Sequence, residues 1–136
     1  MNIKTTVIAK LCAISILIVN VAISFGVVAI YAYAVEPGHD ATYYQAAAQW
    51  LAPLSSIAFG WLLFMAVTYW STRHAWATSA MVFALTVFVF YAAIDVGILL
   101  AAGGLQNIPD VVAVSLATKL VGSIAGVHFA QPVKQY

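Results

Sequence analysis

The sequence predicts an all-α membrane protein: one integral membrane domain over residues 1–136, a four-transmembrane-helix antiparallel bundle with both termini cytoplasmic. Three observations carry that prediction. The chain is 65% hydrophobic and 7% charged, with a mean hydropathy of +1.01, whereas soluble domains carry about 25% charged residues. Its apolar residues fall into four runs, each long enough for the ~20-residue helix that crosses a bilayer. Its basic residues Lys4, Lys10, Arg73 and Lys134 fall on one side of a four-span arrangement, and Glu36, Asp40 and Asp110 on the other. The positive-inside rule puts the basic side in the cytoplasm. An odd number of spans would leave Lys134 on the wrong side. The short loops suit a bacterial cytoplasmic (inner) membrane.

The helices are expected at about 7–34, 42–70, 77–103 and 110–131. The first follows Lys4 and Lys10 and ends in Ala32-Tyr33-Ala34, a small-x-small pattern that also fits a signal-peptide cleavage site. Its apolar run is far longer than the ~7–15 residues of a signal core, so a retained helix is expected. Asn20 and Ser24 are one turn apart on a face that suits contact with other helices better than contact with lipid. In the loop Val35 to Ala41, Pro37-Gly38 marks a turn. Glu36, His39 and Asp40 lack the fixed geometry of a metal site, and Asp40 is read as the start of the second helix. Pro53 either kinks the second helix or begins its membrane part. Tyr31, Tyr33, Tyr43, Tyr44 and Trp50 gather near the first loop, and Tyr69, Trp70 and Trp76 near the second, as interfacial aromatic belts do. Gly103-Gly104 ends the third helix, Pro109 suits the first turn of the fourth, and Asp110 complements its dipole.

Two charges fall deep in the predicted membrane, Asp95 and Lys119. By insertion scales a charge at helix centre costs about 2.5–3.5 kcal/mol, so neither is expected to face lipid. Each lies eight residues from the loop that joins the last two helices, Asp95 before Gly103 and Lys119 after Val111. At about 1.5 Å per residue that puts both roughly 12 Å deep. They are expected to meet as an ion pair between neighbouring antiparallel helices. Tyr91, one turn before Asp95, is placed to reach its carboxylate. Ser115, Lys119 and Ser123 form a polar stripe, and Gly122 and Gly126 beside it make the GxxxG spacing of closely approaching helices. The structural reading is a small-residue packing face with one buried charge tied down. The functional reading is a polar relay of Tyr91, Asp95, Ser115, Lys119 and Ser123.

Catalytic and cofactor signatures are lacking. There is no Cys cluster, HExxH, phosphate-binding glycine loop or Ser/His/Asp arrangement. Neither an enzyme nor a resident cofactor or metal is expected. The sole cysteine, Cys12, has no partner for an internal disulfide and is read as packing. His74 and His128 fall at the same side of the membrane near Trp70 and Trp76, the weakest of the candidate haem or metal positions. A net charge of +1 offers no basic face for nucleic acid.

Three function classes follow. The first is a non-catalytic accessory, scaffold or self-associating subunit whose partners are the bilayer, itself or other membrane subunits; the tiny loops and the GxxxG face suggest it. The second is a small transporter or channel that uses the Asp95/Lys119 pair. The third is a haem- or quinone-associated membrane subunit. The first is the expectation carried forward.

Overall fold

The computed structural model describes residues 3–74, 76, 79–101 and 109–131. Among them the chain is all-helical: α1 (Ile3–Ile30), continued by one π-helical turn (Tyr31–Val35), then α2 (Ala41–Arg73), α3 (Ala80–Ala101) and α4 (Pro109–Ala130). All four helices are long and apolar enough to cross a membrane. The surface, unlike that of a soluble bundle, is largely apolar, and several polar side chains lie inside beside the apolar core. Ile18, Phe25, Val121 and Phe129 are 63–72% exposed, while Thr68, Lys119 and Ser123 are completely buried. In a bilayer that arrangement puts apolar side chains against lipid and polar ones against one another.

The helix boundaries differ from expectation in instructive places. α1 starts at Ile3, four residues earlier than expected, and takes Lys4 into its first turn. α3 starts at Ala80 because Ser79 caps it, with Ser79 Oγ accepting from the Val82 amide at 3.4 Å. α2 begins as expected at Asp40, whose carboxylate accepts from the Tyr43 amide at 2.9 Å. It runs unbroken through Pro53, which therefore does not begin a separate membrane helix. Gly38 takes a positive φ of 94° in the turn between α1 and α2, a conformation glycine adopts without steric cost. Tyr44 closes that turn by donating to the Glu36 carbonyl at 2.8 Å, and Tyr31 and Tyr43 join hydroxyls at 3.1 Å. The expected helix stop at Gly103-Gly104 and the basic tail at Lys134 lie outside the described residues.

α1 packs on both α2 and α3. Ala9, Ala13 and Ile16 recur at i, i+4, i+7 on α1 and form the apolar core with Phe83, Val87 and Tyr91 of α3 and Phe64 of α2. Among the described residues the most extensive helix contact is that of α2 with α4. A side chain on Gly122 would strike the Trp61 carbonyl, and one on Gly126 would strike Met65 and Thr68. The two backbones therefore touch directly, and the matched residues ascend together, so α2 and α4 run in the same direction. Close backbone approach through small residues is how helices associate where no hydrophobic effect drives them together.

Candidate functional site

Near mid-height, every helix contributes polar side chains to one cluster: Asn20 and Ser24 from α1, Ser55 and Ser56 from α2, Tyr91 and Asp95 from α3, Ser115 and Lys119 from α4. The α2 serines follow Pro53, where the ladder of backbone hydrogen bonds lacks a donor. Ser55 Oγ donates to the Ala52 carbonyl at 2.8 Å and lies 2.8 Å from Ser24 Oγ, which ties α1 to α2. Ser56 points to the centre. Its hydroxyl oxygen accepts from Asn20 Nδ2 at 2.9 Å and from Lys119 Nζ at 2.8 Å.

Lys119 is completely buried. Its ammonium donates to Ser56 and, at 2.6 Å, to Ser115 one turn earlier on α4. It also sits 5.0 Å from the centre of the Tyr91 ring, within the range of a cation–π attraction. The alkyl stem lies along Gly60, where a Cβ would come within 2.6 Å of Lys119 Cε. Gly60 thus opens the slot through which the lysine crosses from α4 to the serine of α2.

The expected direct ion pair between Asp95 and Lys119 is not formed. Among the described residues, the pair that lies within salt-bridge distance is His39 with Glu36 at 3.4 Å, in the turn between α1 and α2. Asp95 and Lys119 influence each other by charge at longer range. The reason is directional. Helical side chains lean toward the N-terminus of their helix, which carries the ammonium along α4 to Ser115, and hydroxyls there satisfy it first. Depth matching along two helices could not reveal this, because it ignored α2.

Asp95 is only partly buried and lines a cavity of about 350 Å³. All four helices wall this cavity, in the half of the bundle nearer the turn between α1 and α2. Asn20, Ser56, Asp95 and Ser115 form its polar end, and Val28, Leu99 and Val111 lie at the other. Asn20 is 5% exposed, and its Oδ1 has no hydrogen-bond partner. Among the described residues, no group donates a hydrogen bond to the Asp95 carboxylate either.

The remaining expected residues divide. Tyr91 is completely buried, but its hydroxyl accepts from Asn20 Nδ2 at 3.2 Å and its ring meets Phe64 edge-on at 5.0 Å, so it does not bond to Asp95. Ser123 leaves the relay: its hydroxyl donates to the Ala84 carbonyl of α3 at 3.2 Å and pins α4 to α3. Gly122 and Gly126 pack closely as expected, but on α2 of the same chain. His74 stacks on Trp70 at 4.5 Å, with Nδ1 2.9 Å from the Trp70 carbonyl, and His128 lies beside Phe129. No described contact joins the two histidines, and no group of three metal-ligating side chains occurs among the described residues.

Asn20 and Ser24 were legible as an inward face. Ser55, Ser56 and Gly60 were missed; the available signal was their position just after a proline inside a membrane helix. No protein-family model, curated protein or solved structure matches this chain.

Proposed function

We propose that this protein is a non-enzymatic transporter-class membrane protein that takes a small solute into a vestibule ending at Asp95, Asn20, Ser56 and Ser115. The observation that carries this reading is the cavity of about 350 Å³ with that polar end. Binding sites for small molecules are mostly apolar, with a few converging polar groups, and of about this size. Beyond it lies a packed apolar core, and a separate, more open groove of about 500 Å³ runs between α1 and α2 in the other half of the bundle, lined by Ile8, Cys12, Leu63, Val67 and Trp70. Phe64, Phe83, Val87 and Tyr91 are at most 1% exposed, so the cavity is a dead end in this conformation, as one access state of a transporter would be.

The same reading places the turn of residues 36–40 outside the cell and both ends of the chain in the cytoplasm of a bacterium. Lys4 and Arg73 support that orientation by the positive-inside rule. The GxxxG face does not argue for self-association, because Gly122 and Gly126 pack against α2 of the same chain. A haem subunit is less favoured, because the His74 ring is stacked on Trp70 with Nδ1 at the Trp70 carbonyl.

Thiol access tests the vestibule. In a Cys12→Ser background, Ala48→Cys should react with a membrane-impermeant thiol reagent added outside. Ala84→Cys, completely buried on α3, should stay inert. An unreactive Ala48→Cys from either side would sink the proposal.

A further inference from the structure

We propose that the groove between α1 and α2 is a site for one anionic phospholipid, an acyl chain lying in the groove and the phosphate held at Lys4 and Arg73. The proposal does not depend on the vestibule, which lies in the other half of the bundle.

The groove exists because α1 changes neighbours along its length. Near mid-height, Ser24 and Asn20 tie it to Ser55 and Ser56 of α2. Toward its N-terminus, Ala9, Ala13 and Ile16 join Phe83 and Val87 of α3 in the core. The residues beside that face, Ile8, Cys12 and Val19, are left with Leu63, Val67 and Trp70 of α2 around an open space of about 500 Å³.

The length of the groove identifies its occupant. From Ile8 to Val19, α1 rises roughly 16 Å at about 1.5 Å per residue. That is half of the ~30 Å hydrocarbon core, the depth of one leaflet. A transmembrane helix of a partner would need a face running the whole thickness of the membrane. A groove one leaflet deep fits an acyl chain. Trp70 and Trp76 line its outer end, at the level where tryptophan sits among lipid headgroups.

Charge at that end selects the headgroup. The groove-lining positions of α1 recur every three or four residues back to Ile8, and the next turn of the same face brings Lys4. On α2 the stripe of Leu63, Val67 and Trp70 continues to Arg73. Both basic side chains are exposed. Arg73 Nε donates to the Tyr69 hydroxyl at 3.2 Å, which holds the guanidinium in place while its terminal N–H groups offer further donors. All 4 acidic residues of the chain lie elsewhere: Glu36 and Asp40 in the turn between α1 and α2, Asp95 at the vestibule, Asp110 at the start of α4. A zwitterionic lipid would bring its own cation to two cations with no carboxylate beside them. An anionic one brings only the phosphate.

The test is native mass spectrometry of the full chain with equal amounts of dioleoylphosphatidylglycerol and dioleoylphosphatidylcholine, whose acyl chains are identical. The chain should retain one phosphatidylglycerol, preferred about tenfold or more over phosphatidylcholine. Lys4→Gln with Arg73→Gln leaves the groove intact, so a lipid should still be retained, but with a preference of about twofold or less. Ala66→Trp puts an indole on the groove wall and should lower retention of both lipids about tenfold.

Equal retention of the two lipids by the wild-type chain would overturn the proposal, and so would a preference that survives the double glutamine change. Undiminished retention by a folded Ala66→Trp would place the lipid elsewhere and overturn it too. A dimer of the chain that Ala66→Trp dissociates would mean that a second copy fills the groove, against the proposal. Should Ala66→Trp fail to fold, the double glutamine variant decides alone.

Discussion

The Lys119 ammonium donates to the hydroxyl of Ser56 at 2.8 Å, across 63 residues of sequence and from one helix to another. With Ser115 at 2.6 Å, two hydroxyls solvate a cation that lipid would reject. Burying an ammonium is unfavourable by several kcal/mol unless its hydrogen bonds are remade, so the energetics of this region depend on serines more than on the distant carboxylate.

The first prediction is that the serines matter because the lysine is there. Ser56→Ala and Ser115→Ala should each cost about 1–3 kcal/mol, since each leaves a buried ammonium one partner short. In a Lys119→Met background the same changes should cost clearly less. Unfolding in mixed micelles measures the cycle. Equal costs in both backgrounds would show that the serines and the lysine are energetically independent.

Asp95→Asn should behave differently from the loss of a contact ion pair. Breaking a buried pair by removing one partner costs about 3–5 kcal/mol. Asp95 is partly exposed to a cavity and does not touch Lys119, so the expected cost is about 1 kcal/mol or less. A loss of the full contact-pair size in the same unfolding assay would restore the direct pair.

The α2–α4 contact should reject any side chain at its two closest points. Gly122→Val and Gly126→Val drive methyl groups into the backbone of Trp61 and Met65. Each should cost at least the ~1–3 kcal/mol of an overpacked core, and the helices must separate to accommodate it. Gly97, with nothing within 4 Å of an added Cβ, is the control: Gly97→Ala should be neutral or slightly stabilising by helix propensity. Wild-type stability of Gly122→Val would contradict the backbone contact.

Tyr91 separates packing from polarity. Tyr91→Phe keeps the edge contact with Phe64 and deletes the acceptor for Asn20, at a cost of about 1 kcal/mol. Tyr91→Ala empties a fully buried site and should cost about 3–5 kcal/mol. Similar losses for the two would assign the residue's contribution to its hydroxyl.

At the exposed end, Asp40→Ala should remove the cap of α2 and cost about 0.5–2 kcal/mol. Amide exchange at Tyr43, whose N–H the cap holds, should speed up while exchange at Phe64 does not change. Unchanged exchange at Tyr43 would show that the turn between α1 and α2 is held by Tyr44 and Glu36 instead.

The sequence by itself determined the four apolar spans, the cap at Asp40, and the fact that Asn20, Asp95 and Lys119 belong inside. Those are local properties: the length of an apolar run, the side chain at a helix start, the cost of charge in hydrocarbon. Only the tertiary structure decided that α2 lies against α4, that Gly60 makes room for Lys119, that Ser56 accepts its hydrogen bond, and that Asp95 faces a cavity. Helices that are apolar on every side carry little amphipathic signal to say which face turns inward. At 3.6 residues per turn, one residue's error in rotation moves a side chain by about 100°. The partner of a buried charge is set by that rotation, which comes from packing small residues across helices far apart in the chain.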